Sequence, residues 1–173
     1  MSDATRAAVP RSDLGEEVLA EVPAYDLIEL FFFAYRDFVS DPDRILAEYG
    51  FGRAHHRVLH FVDRQPGLTI AELLDILRIT KQSLNRVLKE LIEKNFVESR
   101  TGTSDRRQRL LYATPRGHEL AVKLARLQTR RIMRALATMD ADAKAVASRY
   151  LLAMIDADDR EHVEQVVFGG EKP

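Results

Sequence analysis

Thr80-Lys81-Gln82-Ser83 opens a polar run that continues through Asn85, Arg86 and Lys89. Leu84, Val87, Leu88, Leu91 and Ile92 recur between them at helical spacing, which buries one stripe and turns the polar set outward. Those outward side chains are hydrogen-bonding tools for base edges. Gln and Asn pair bidentately with adenine, Arg and Lys with guanine, and Ser with donors or acceptors. Further along, Arg106, Arg107 and Arg109 crowd a Gly-containing connection and suit phosphates or an electronegative minor groove.

His55, His56 and His60 form a second set. His56 and His60 are four apart and share one helix face, so they could chelate a borderline metal, although a site wants three or four ligands. Haem, polar contacts to an organic ligand, and plain solvent or cleft-lining positions are competing readings of the same residues. Carboxylate pairs such as Asp41/Asp43 and Asp158/Asp159 have no Ser, Cys or His arrangement around them. No nucleophile–base constellation is recognisable, so the reading is that the chain is no enzyme. No metal site and no cofactor are expected. The absence of cysteine excludes disulfides, thiolate nucleophiles and sulfur-ligated zinc.

The elements that must position these residues follow from patterning. Tyr25 to Val39 is aromatic and apolar on most of a helical circumference, which a surface helix does not need. A partner subunit is its natural cover. Asp41-Pro42 should stop that helix, and Gly50 to Gly52 marks the next break. Arg53 to Arg64 reads as a helix ended by Pro66-Gly67. Thr69-Ile70-Ala71-Glu72 is a capping box opening a short helix to about Leu77, and Thr80 caps the polar-faced helix, which runs to Asn95. Phe96–Thr101 and Arg109–Ala113 are strand-like around the polar connection 102–108. Thr114-Pro115 restarts a helix to about Thr138, and a last one spans about Asp142 to Asp156. The segment after Asp158 reads as a charged, weakly patterned tail.

Charge is unevenly spread along the chain of 173 residues. Its net −1 conceals a block, residues 78–116, with ten Lys/Arg against four Asp/Glu, while residues 1–52 carry four against eleven. A basic block in an otherwise acidic-to-neutral chain suggests a localised polyanion-binding surface, and a solvated charged face is the bland alternative. At 46% hydrophobic and 31% charged, the chain has the composition of a soluble globular protein. No apolar stretch approaches the roughly 20 residues of a membrane crossing, and no secretory signal is visible, so a cytoplasmic protein without membrane association is expected.

Two short helices, a polar-faced second helix and a basic hairpin form a winged helix-turn-helix, and from Leu68 to Leu120 the sequence resembles the MarR family of bacterial transcriptional regulators. The resemblance rests on LTIAELLDILRITKQSLNRVLKELIEKNFVESR, then on Asp105, Arg107, Thr114 and Gly117 of the wing signature; Ala113 replaces the usual Leu before the Thr. It extends over roughly residues 25–156. It implies a mostly α fold with a small two- or three-stranded β wing, helical dimerisation elements at both ends, and a homodimer on a pseudo-palindromic operator in double-stranded DNA. It further implies repression, and release when a small anion or phenolic compound binds between the two modules; imidazole and guanidinium donors beside Phe and Tyr rings suit an acidic or aromatic effector.

By that resemblance Lys81, Gln82, Ser83, Asn85 and Arg86 read DNA and Arg107 sits at the wing tip; Thr80, Lys89, Arg106 and Arg109 join them from the reading of the residues. Asp105 would orient an arginine across the wing. The division expected is an arm (1–23), a helical dimerisation module (24–52 and 115–160), a DNA-binding domain (53–114) and a tail (161–173), with a short helical piece at Leu14–Ala20. Phe32, Arg53, His55, His56 and His60 are the candidate effector pocket. Two alternatives stay open: a winged-helix protein-interaction module without DNA contact, and a histidine-based metal- or haem-responsive regulator.

Overall fold

The computed structural model describes residues 23–102 and 108–169. The helical piece expected at Leu14–Ala20 and the wing-tip residues Asp105, Arg106 and Arg107 lie outside the described residues. In chain order the elements are α1 (Tyr25–Ala47), α2 (Arg53–Arg64), β1 (Leu68–Thr69), α3 (Ile70–Leu77), α4 (Lys81–Glu93), β2 (Val97–Thr101), β3 (Arg109–Ala113), α5 (Pro115–Leu136), α6 (Ala143–Ala153) and α7 (Ala157–Phe168). The mostly α class with a small β wing is therefore borne out. By its internal contacts the chain divides into residues 1–36 and residues 37–173.

The described part of the first unit is the start of α1. Tyr25, Leu27, Leu30, Phe31, Phe32 and Phe33 are all exposed there, and the Arg36 guanidinium lies 4.9 Å from the centre of the Phe33 ring.

In the second unit, one core gathers Leu46 from α1, Val58, Leu59 and Val62 from α2, Leu73 and Leu77 from α3, and Leu84, Val87, Leu88 and Leu91 from α4. Phe96, Leu111, Leu120 and Leu124 close it from the wing and α5. The sheet has the antiparallel order β1-β3-β2. Leu68 lies opposite Leu111 and Thr69 opposite Leu110; Val97 pairs with Ala113, and the ladder runs out to Thr101 with Arg109. The β1 strand stitches the turn before α3 to the wing, so the helix-turn-helix and the hairpin share one core.

Two boundaries differ from the sequence reading. Asp41-Pro42 does not stop α1, which continues to Ala47 with Pro42 inside it. Pro42 lacks the N–H of an ordinary helical residue, a defect of about 3 kcal/mol. Val39, Pro42 and Leu46, on one face, are buried together, and burial of such side chains at about 1.5–3 kcal/mol each offsets the loss. Arg131 and Arg44 also grip Asp41, and their hydrogen bonds hold its carboxyl below the usual range. The second difference is the tail: residues 157–168 form α7. This helix buries no side chain fully. Polar contacts place it: Arg160 donates to the carbonyls of Leu152 (3.2 Å), Ala153 (3.3 Å) and Ile155 (3.0 Å), fixing the corner with α6.

Candidate nucleic-acid interface

Local capping sets the direction of α4. The Thr80 hydroxyl accepts from the Ser83 N–H at 3.2 Å and donates to Ser83 Oγ at 2.9 Å. Arg78 takes a left-handed conformation (φ 49°) at the end of α3, its N–H bonding the Leu74 carbonyl at 2.9 Å, and this turns the chain into α4. Leu84, Val87, Leu88 and Leu91 then anchor the inner face, leaving Lys81, Gln82, Asn85, Arg86 and Lys89 exposed.

Contacts sort the cations of the basic block into two groups. Lys94 donates to the Tyr49 carbonyl at 2.6 Å and lies 4.8 Å from the centre of the Phe51 ring. Arg100 covers Tyr112 and pairs with Glu98, while Arg116 covers Phe96 and donates to the Lys94 carbonyl. Arg78 pairs with Asp159, Lys89 approaches Glu93 at 3.8 Å, and Arg109 donates to Thr101 Oγ1 at 3.3 Å. Among the described residues of the block, Lys81 and Arg86 are the cations left without a protein partner. They stand beside Gln82 and Asn85, whose amides are also unengaged. The exposed amides and guanidinium are the donor–acceptor set that base edges require.

The wing is held where it leaves and re-enters the core. The Gly102 N–H bonds the Gln108 carbonyl at 3.0 Å, closing the hairpin below its tip. Thr114 Oγ1 donates to the Asn95 carbonyl at 2.7 Å and accepts from the Gly117 N–H at 3.0 Å. A Cβ on Gly117 would lie 1.9 Å from the Phe96 carbonyl oxygen, so the start of α5 fits against the wing only as glycine. Thr114 and Gly117 are thus structural members of the wing signature.

The histidines divide. His55 Nδ1 accepts from the Gly52 N–H at 3.2 Å, so its Nε2 carries the proton donated to Glu90 at 2.9 Å. Its ring stacks on Phe51 at 4.7 Å, tying α2 to the inner side of α4. Sequence reasoning placed His55 in an effector pocket and had no signal for the distant Glu90. His56 and His60 do share one half-buried face of α2, and burial pushes both imidazoles below their ordinary value. Arg53 pairs with Asp43 at 2.9 Å, and Phe32 belongs to the first unit, where it is 66% exposed. A surface cavity of about 560 Å³ lies elsewhere, lined by Asp41, Leu127, Arg130, Met133, Arg134 and Ala137. Among the described residues no three His, Asp or Glu side chains are grouped to hold a metal, and no helix is long and apolar enough to cross a membrane.

A strand-stitched helix-turn-helix followed by a β hairpin, with an unengaged polar face on its second helix, defines a winged helix-turn-helix protein. Comparison with known proteins makes the class specific: residues 49–108 match the MarR family model. The chain is 46% identical over 139 residues to the HTH-type transcriptional regulator PetP of Rhodobacter capsulatus, covering 80% of this chain and 84% of that protein. Its fold resembles the transcriptional regulator SlyA (TM-score 0.65, 20% identity, 80% of this chain and 99% of that one). It also resembles Streptococcus pneumoniae FabT in complex with DNA (TM-score 0.64, 17% identity, 75% and 94%). The chain belongs to the MarR family of transcriptional regulators.

Proposed function

We propose that the protein is a homodimeric repressor that inserts α4 into the major groove of a pseudo-palindromic operator. The observation that carries this is the unengaged set Lys81, Gln82, Asn85 and Arg86, exposed where most neighbouring cations are spent on protein contacts. Thr80 orients the helix start, and Ser83, Lys89 and Arg109 flank the groove-facing set. Arg106 and Arg107 reach phosphates or the minor groove. The FabT structure, solved with DNA on the same fold, supports a DNA complex for this chain. A protein-interaction winged helix has no need of such a face.

The exposed apolar surfaces support dimerisation. Phe31, Phe32 and Phe33 on α1, and Met133, Tyr150, Leu151, Met154 and Phe168 on the C-terminal helices, are each 46% exposed or more. A small aromatic or acidic effector near Arg53, His56 and His60 would act by its differential affinity for DNA-competent and DNA-incompetent arrangements.

Genome-wide binding followed by mobility shift on the recovered sites tests the reading. An inverted repeat bound by the wild type, and lost in Arg86→Ala, is expected; uniform binding to all duplexes would overturn sequence-specific recognition. A thermal-shift screen of aromatic acids tests the effector. The expected hits stabilise the wild type more than His56→Ala and release DNA.

A further inference from the structure

Arg78 occupies a particular place: two residues before the cap of α4, at the turn where the helix-turn-helix corner approaches a DNA backbone. Its side chain is 65% exposed, yet its guanidinium is paired with Asp159 of α7. That pairing is part of a larger docking. The His162 ring sets Nε2 3.3 Å from Asp75 Oδ2 on α3 without hydrogen-bond alignment, and Gln65 Nε2 donates to the Val166 carbonyl at 3.3 Å. With the corner to α6 fixed by Arg160, α7 meets the C-terminal end of α3 through these side chains and acts as a strap on the helix-turn-helix. The strap is acidic: Asp158, Asp159, Glu161 and Glu164 against Arg160.

We propose that Arg78 is a further phosphate-binding residue and that Asp159 competes with DNA for it, making α7 an intramolecular brake on DNA binding. This rests on the proposed α4 interface. Phosphate can take the guanidinium only by displacing the carboxylate, so each binding event gives up one ion pair. Arg78 is largely exposed and Asp159 partly so, at 24%, so solvent screens the pair, the cost is modest and the brake tunes affinity without abolishing it. Loosening α7 from the corner strengthens binding to every sequence, since phosphates carry no sequence information.

The test is a fluorescence-anisotropy titration of full-length protein on a random-sequence duplex, between about 50 and 200 mM salt. Asp159→Asn should bind about two- to fivefold more tightly at the low-salt end, with a log–log salt slope close to wild type, because Arg78 meets the phosphate in both proteins and only the cost of breaking its pair is removed. Arg78→Gln should bind more weakly than wild type. The double variant should match Arg78→Gln, because the gain requires the freed guanidinium. Unchanged or weaker binding by Asp159→Asn would overturn the proposal, as would a double variant that keeps the gain, which would make the effect one of general charge.

Should Asp159→Asn fail to fold, the charge-swapped Arg78→Asp/Asp159→Arg protein restores the pair. It is expected to bind as weakly as Arg78→Gln; wild-type affinity would overturn the role of Arg78. Arg86→Ala runs alongside on the operator. If it binds as the wild type does, the α4 interface itself fails; if it loses affinity while Asp159→Asn gains none, the brake alone fails.

Discussion

Gly117 shows how little room a single position can leave. A methyl there meets a backbone carbonyl oxygen at 1.9 Å, and neither partner is a flexible side chain. Gly117→Ala should destabilise the protein by about 2–4 kcal/mol in denaturant unfolding, mostly by prying α5 from the wing. Gln82 and Arg86 define the opposite case, exposed side chains without a hydrogen-bond or ion-pair partner among the described residues. Removing either should leave the melting temperature within a degree or two of wild type while costing roughly 1–3 kcal/mol on the operator and relaxing preference at particular base pairs. Lys81→Ala should weaken all duplexes alike and flatten the salt slope, by about 0.9 if it neutralises one phosphate. Operator and random DNA bound in the wild-type ratio by the Gln82 and Arg86 variants would remove direct readout by α4.

At the scale of elements, α2 carries a proton-linked weakness. Burial lowers the affinity of His56 and His60 for protons; each shift is deepened by a neighbouring charge (His60 for His56, Arg64 for His60) and opposed by Asp43 and Asp63 respectively. The unfolded chain therefore takes up these protons first, near pH 6.5, so stability is full above that pH and declines as pH falls toward the lower native values. Melting temperature should drop between about pH 7 and 5, and His56→Gln/His60→Gln should flatten that part of the profile relative to wild type. An identical profile in the double variant would place the acid sensitivity elsewhere. Which elements could be read from sequence follows from the range of the forces that make them. The Thr69–Glu72 box and the Thr80 and Thr114 caps are bonds across three residues, so spacing alone reveals them. The same holds for the apolar stripe of α4 as far as Leu91; Ile92, read as its last member, is 41% exposed. Continuation of α1 through Pro42 depends on burial against distant residues, and α7 is held by ion pairs and carbonyl contacts that leave no apolar period. His55–Glu90 and Arg78–Asp159 join residues far apart in the chain, and no local pattern announces them.

For the whole molecule, the exposed apolar side chains of α1 and those of the C-terminal helices bear on the proposed dimer. Phe31, Phe32 and Phe33, consecutive on α1 and turned to different sides of it, are exposed together with Tyr25, Leu27 and Leu30, more than scattered single exposures would explain. If a second copy covers them, the protein should sediment near twice 19.7 kDa at every workable concentration. Phe32→Asp or Phe33→Asp should then lower stability and assembly together, since an obligate dimer's stability is inseparable from its association. The two-fold symmetry of the proposed dimer would constrain DNA as well. Two α4 helices enter successive major grooves only when about 34–36 Å apart, which fixes half-sites about 10 base pairs centre to centre. Inserting five base pairs between the halves rotates one to the opposite face of the duplex and should abolish tight binding, whereas inserting ten restores the face but stretches the span beyond one dimer. A folded monomer in sedimentation, or an operator indifferent to the five-pair insertion, would overturn the dimeric arrangement while leaving recognition by a single α4 standing.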